Sequence, residues 1–179
     1  MLGTSKDIKY PGLNILPPGV ERHVVNGGGL TGFQVFPDDE IEIVNNEGNQ
    51  ICEIICFDKS GKSELGIFNL KENSKKNYIK NILLGKDESI LATNYQLKKR
   101  NLNISDSHAA IIFDPDTNAG EVIKLKSKDK CYAIFASPGD DMDVTNQNPP
   151  GELTIFIKRS KITNDKELNV IPDPVFEPA

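Results

Sequence analysis

Between Ile51 and Phe57 the chain reads Ile-Cys-Glu-Ile-Ile-Cys-Phe, with Glu53 as its one charged side chain. The run is too short for a helix buried all round, and it is rich in residues that fit a pleated surface. It therefore predicts a strand buried on both faces, in the middle of a sheet. The segments before it alternate instead. Glu21 to Asn26, Thr31 to Phe36 and Glu40 to Val44 place apolar side chains on every second residue, the pattern of strands with one wet face. Leu16-Pro17-Pro18-Gly19, Gly27-Gly28-Gly29, Pro37-Asp38-Asp39 and Asn45-Asn46-Glu47-Gly48 punctuate them. The last of these carries a hairpin-type signal.

The period then changes. Tyr78, Ile79, Ile82 and Leu83 recur at helical spacing between Asn73 and Leu84, with Asn73 or Ser74 as cap and Gly85 as stop. Asp87 reads as the N-cap of a second helix to about Arg100, whose last turn carries Lys98, Lys99 and Arg100, where positive charge suits the helix dipole. The short link predicts a helical hairpin laid across the sheet, and its simplest role is to plug one end of a barrel. Strands return at Ala109 to Phe113, Glu121 to Leu125, Cys131 to Ala136 and Leu153 to Ile157. The expected fold is thus mainly β (α+β), a barrel or sandwich with a two-helix insertion at about residues 73–101. Residues 1–14 read as a polar arm, 15–165 as a single β-rich domain, and 166–179 as a Pro-rich, linker-like tail.

Composition narrows the function. A chain of 179 residues with 37% apolar side chains can bury a real core and is not wholly disordered. A net charge of −5 argues against a general nucleic-acid binder. No run of about 18 apolar residues marks a membrane span, and Met1 to Asn14 holds no export signal, so the cytoplasm is the expected location. Three cysteines form no closed disulfide framework. Cys52 and Cys56 fall on one sheet face and are expected to be reduced core residues.

Several motifs fail on chemistry. Gly27-x-Gly29-x-x-Gly32 spells a dinucleotide fingerprint, but the glycines lead into a strand pattern, Phe33-Gln34-Val35-Phe36, and not into a helix whose amides hold a pyrophosphate. A flexible hairpin connection is the better expectation. Ser60-Gly61-Lys62-Ser63 resembles the end of a phosphate loop, but the required earlier glycine is Cys56. A turn after a strand explains it. Asp114-x-Asp116-x-Asn118 copies the start of a calcium loop, whose sixth and twelfth positions are here Ala119 and Leu125. The two histidines, His23 and His108, have no metal-ligand spacing. No metal site and no catalytic residue is assigned.

Two stretches are more specific: Phe36 to Asp58, and Cys131 to Val144 with Asn148 to Arg159. They resemble the urea-carboxylase-associated protein domain family, in the form found at the N-terminus of long bacterial aminomethyltransferase-like proteins related to the glycine cleavage T protein. Pro172-Asp173-Pro174 stands where the linker of those proteins stands. The resemblance implies an accessory domain, itself non-catalytic, whose partners are downstream domains of the same polypeptide. The whole protein would transfer a one-carbon group from an amine donor to tetrahydrofolate, with no cofactor in this chain. The family's core turn is matched by Glu47, Gly48, Gln50 and Glu53. With Asn49 and the acidic loop residues Asp140 and Asp143 these form the candidate polar site. A buried Glu53 needs a hydrogen-bond partner, and a polar network pinning the turn is its simplest role. Deiminase-type members carry Cys and His motifs where this chain holds only His108. Two other readings stand beside this one. The first is a free-standing enzyme on a ureido or guanidino compound, with a pocket around the same residues. The second is an oligomerisation module forming a homo-oligomer. Neither nucleic acid nor a membrane is expected as a partner.

Overall fold

The computed structural model describes residues 16–139 and 150–161. The arm at 1–14, the tail at 166–179, Asp140 and Asp143 lie outside them. In chain order the strands are β1 (Val20–Val25), β2 (Leu30–Val35), β3 (Glu40–Asn45) and β4 (Cys52–Asp58). The helices α1 (Tyr78–Ile82) and α2 (Glu88–Lys99) follow, then β5 (Ala110–Phe113), β6 (Val122–Lys126), β7 (Cys131–Ala136) and β8 (Leu153–Lys158). Short 3-10 turns sit at Leu65–Phe68 and Ile104–Asp106.

The strands form two antiparallel four-stranded sheets, ordered β1-β8-β3-β6 and β2-β7-β4-β5. The fold is mainly β, a sandwich with a two-helix insertion, and its sheets do not close into a barrel. Between the sheets lies the larger core, with Phe33, Ile41, Ile43, Ile54, Phe135 and Ile155 among its residues. A second apolar layer lies on the other side of the β2-β7-β4-β5 sheet. There Ile55, Phe57 and Ile134 meet Ile79, Leu83, Ile90 and Leu97 of the helices. This explains why β4 and β7 are apolar on both faces: one face meets the opposite sheet and the other meets the helices. The β1-β8-β3-β6 sheet has no such cover. Val24, Glu40, Val122 and Lys124 on it are exposed, and its strands alternate accordingly.

Four expectations are corrected. The helical pair does not plug a barrel end. It lies across the sheet, with α2 on β2 and α1 on β4. The first helix begins at Tyr78, not near Asn73. Asn77 takes a left-handed conformation (φ 49°) and its side chain accepts from the Lys80 amide, so the cap falls there. The Asn45–Gly48 turn is not a hairpin turn, because β3 and β4 belong to different sheets. Nor are Gly27–Gly29 a flexible hairpin, since β1 and β2 also lie in different sheets.

That glycine crossover is tightly held. The Gly28 amide donates to the Ser137 carbonyl at 2.7 Å, and the Ser137 amide donates to the Gly29 carbonyl at 3.0 Å. A methyl group on Gly27 would stand 2.0 Å from the Pro150 carbonyl oxygen. Gly27→Ala is therefore expected to cost about 2 kcal/mol or more, since backbone must move on one side. A urea midpoint unchanged from the wild type would show that the crossover has slack and would refute this.

Candidate functional site

The turn after β3 is built by Asn45. Its Oδ1 accepts from the Gly48 amide at 3.1 Å, and its Nδ2 donates to the Gln50 carbonyl at 2.8 Å. Gly48 and Asn49 both have positive φ, 78° and 55°. A side chain at Gly48 would collide with the Ala119 amide, 2.6 Å from where a Cβ would stand. The Asn49 amide donates to the Thr117 carbonyl at 2.6 Å. The turn thus interlocks with the Asp114–Ala119 turn, whose Asp and Thr side chains bond their own backbone and hold no calcium-loop geometry.

Gln50 is buried and ties three segments. Its Nε2 donates to the carbonyls of Ile51 (2.9 Å) and Pro138 (2.7 Å), and its Oε1 accepts from the Gly151 amide at 2.5 Å. Both amide protons are used. Glu47 and Asn49 are exposed beside it.

Glu53 faces the helices, on the same side of β4 as Ile55 and Phe57. It is 0% exposed. Oε2 accepts from the Ser74 hydroxyl at 2.5 Å and the Tyr78 amide at 2.9 Å, and Oε1 accepts from the Ile79 amide at 2.8 Å. These amides belong to the first turn of α1, which has no intrahelical acceptor for them. Glu53 is thus a cap reaching out of the sheet, and it holds α1 down. The partners of Gln50 and those of Glu53 are different residues. The turn itself is pinned by Asn45 and Gln50.

Among the described residues no three His, Cys, Asp or Glu side chains gather as a metal requires. Cys52, Cys56 and Cys131 are buried and free. Burial pushes the Cys52 thiol well above its usual value. His23 pairs with Glu21 and His108 with Glu72, on separate parts of the surface.

Two polar clusters escape a reading of the sequence. The first is ionic. Arg159, 2% exposed at its side chain, donates to Asp39 Oδ2 at 2.8 Å, to the Gln34 carbonyl at 2.9 Å, and to both carboxylate oxygens of Glu21 at 2.8 and 3.1 Å. The second lines a cleft of about 270 Å³ between the turn after β4 and the C-terminus of α2, with Gln34, Asp58, Lys59, Arg100, Lys130 and Tyr132 in its wall. Arg100 Nη1 donates to Gln34 Oε1 at 2.7 Å and Nε to Gln96 Oε1 at 3.1 Å, while the guanidinium lies 4.8 Å from the centre of the Tyr132 ring. Gly32 permits this, since a Cβ there would stand 2.3 Å from the Tyr132 hydroxyl oxygen. Asp58 Oδ1 accepts from the Ser60 amide and hydroxyl and from the Lys62 amide, at 2.7–2.9 Å. Burial alone would raise its pKa slightly; these bonds outweigh it and hold the carboxyl below its usual value. Ser60-Gly61-Lys62-Ser63 is thus a turn built on Asp58.

No protein-family model matches the chain. Among curated proteins, the trimethylamine-oxide aldolase of Ruegeria pomeroyi is 32% identical to it over 171 residues, 96% of this chain. The match takes in 22% of that relative, so the chain spans about a fifth of the length of the protein it resembles. Among solved structures, a DUF1989 family protein of Silicibacter pomeroyi superposes with a TM-score of 0.43 at 12% identity, covering 80% of each chain. A likeness that loose carries no argument. The aldolase relative corrects the resemblance given above. It is named for an aldolase, not an aminomethyltransferase. The accessory, non-catalytic domain of a one-carbon transferase, and the downstream transferase domains expected as its partners, are set aside with that name. Nor does the relative's name, which specifies an amine oxide, describe an enzyme of a ureido or guanidino compound.

Proposed function

We propose that this chain is part of an enzyme that cleaves an amine N-oxide, as the name of its relative describes. The observation that carries the reading is the 32% identity, which extends over 96% of the chain and so takes in nearly all of the fold described above. An N-oxide is zwitterionic, with positive nitrogen and negative oxygen. Trimethylamine oxide contains the atoms of dimethylamine plus formaldehyde, so an aldolase-type cleavage balances with no oxidant, reductant or water. In this reading Gln50 and Glu53 are positioning residues. Gln50 sets the loops around Pro138 and Gly151, and Glu53 sets α1. Among the described members of the candidate polar site, Glu47 and Asn49 face solvent. Among the described residues no helix is long and apolar enough to cross a membrane.

The test is turnover. The native polypeptide, taken from its own cells, is incubated with trimethylamine oxide and followed by proton NMR. Dimethylamine and formaldehyde should appear in equal amounts, at a rate proportional to the amount of protein. An N-oxide signal that stays constant while the protein remains folded would sink the reading.

A further inference from the structure

The cleft between Asp58 and the end of α2 has a charge unlike the rest of the molecule. The chain carries a net −5. Here Lys59, Arg100 and Lys130 stand around one carboxylate of the wall, Asp58. Its Oδ1 accepts from the amides and hydroxyl of its own turn, so one negative charge stands against the three positive ones. Asp129 approaches Lys59 from outside, at 4.0 Å with both side chains largely exposed, a pairing worth little in water.

Arg100 is the oriented member. Its partners are the neutral amide oxygens of Gln34 and Gln96 and the face of Tyr132, and no carboxylate pairs with it among the described residues. Gln34 and Gln96 take Nη1 and Nε. That leaves both protons of Nη2, a two-pronged donor in the guanidinium plane that no described residue takes. The stacked ring and the two glutamines hold this fork in place before any ligand arrives, so little rotamer freedom is lost on binding. The C-terminus of α2 opposes an anion through its dipole. Its carbonyls are capped, however: the Asn101 amide donates to Lys98 and the Leu102 amide to Leu97, with Asn101 in the left-handed conformation (φ 57°).

We propose that this cleft is a binding site for a small metabolite bearing an oxyanion, gripped by the Nη2 donors of Arg100 with Lys59 and Lys130 at the rim. A volume of about 270 Å³ suits a metabolite and not a macromolecule. The proposal stands apart from N-oxide cleavage, and the two fail separately.

The experiment titrates the full chain with sodium acetate and, in a separate arm, with inorganic phosphate at constant ionic strength, with sodium chloride as the control. The readout is the 15N-HSQC signal of the Arg100 Nε–H and the amides of Gly61 and Asn101. Saturable shifts with acetate and not chloride assign a carboxylate ligand; saturable shifts with phosphate and not chloride assign a phosphate ligand. Arg100→Lys keeps the charge and loses the fork, so affinity should fall about tenfold or more. A fall of less than twofold, shifts matched by chloride, or no saturable shift with either anion would overturn the proposal. Should Arg100→Lys fail to fold, protection of wild-type Arg100 from phenylglyoxal decides. Modification slowed severalfold by the anion supports the site, and an unchanged rate overturns it.

Discussion

Glu53→Ala should lose about 3–5 kcal/mol of stability, enough to bring an ordinary domain of this size close to unfolding. The substitution orphans three donors in a dry layer: the Ser74 hydroxyl and the amides of Tyr78 and Ile79. Each buried donor left without an acceptor costs about 1–3 kcal/mol, and α1 lifting slightly to reach water recovers part of that. The conservative Glu53→Gln should cost less, about 2 kcal/mol. One amide oxygen can still accept from Ser74 and Tyr78, but the amide nitrogen then confronts the Ile79 N–H. Urea unfolding at neutral pH gives both numbers. Hydrogen exchange at Tyr78 and Ile79 should accelerate in the same order. A loss under 1 kcal/mol for the alanine variant would mean that α1 is held by something other than this carboxyl.

The second large effect belongs to Arg159. Arg159→Met leaves Asp39, 1% exposed, without its counter-ion. Breaking a buried pair on one side costs about 3–5 kcal/mol. The Phe36 and Ser160 amides still donate to Asp39, at 2.9 and 2.8 Å, and keep the cost toward the lower figure. The variant should also change the acid limb of stability. Burial alone would raise the Glu21 carboxyl. The hydrogen bonds from His23 and Arg159 and the guanidinium charge outweigh burial and hold it at about 2, against an ordinary 4.5. A carboxyl depressed in the folded state contributes stability above its unfolded pKa and loses it as pH falls through the folded one. The wild type should therefore lose about 2 kcal/mol from this group between pH 4.5 and 2. In Arg159→Met most of that slope should vanish, because Glu21 keeps only His23. Parallel acid limbs in the two proteins would refute the coupling.

What could be read from the sequence was local. The apolar run of β4 and β7 fixed their centrality, and Asp87 as cap placed α2 within a residue of its start, because caps and burial patterns act within a few positions. What could not be read was pairing. A glycine-containing turn such as Asn45–Gly48 looks the same whether it joins partners or crosses between sheets. The spacing of Gly27 and Gly32 arises from Pro150 and Tyr132, more than a hundred and exactly one hundred positions along the chain, respectively. The polar site was legible in part. Gln50, at the entrance to an apolar run, and Glu53, within it, stood out as polar residues, and both are buried and bonded. The cleft was not legible, since four separate segments build its wall. One signal was present: Arg is scarce beside Lys, and Arg100 and Arg159 both use the planar fork that lysine lacks.

The position of β8 has a consequence for how the chain comes into being. It lies between β1 and β3, so Val20 pairs with Lys158 and Glu40 does too. On a ribosome, β1 is made first and waits through more than a hundred residues for its neighbour. Loop closure over such a distance is slow, and sheets assembled from remote segments fold late. Until Leu153–Lys158 emerges, β1 has no partner and the inner face of its sheet stays wet. Assembly of the two sheets is gated by β8, the last of the described strands to be synthesised, and a nascent chain stopped short of it exposes unpaired edges of the kind that chaperones and proteases recognise.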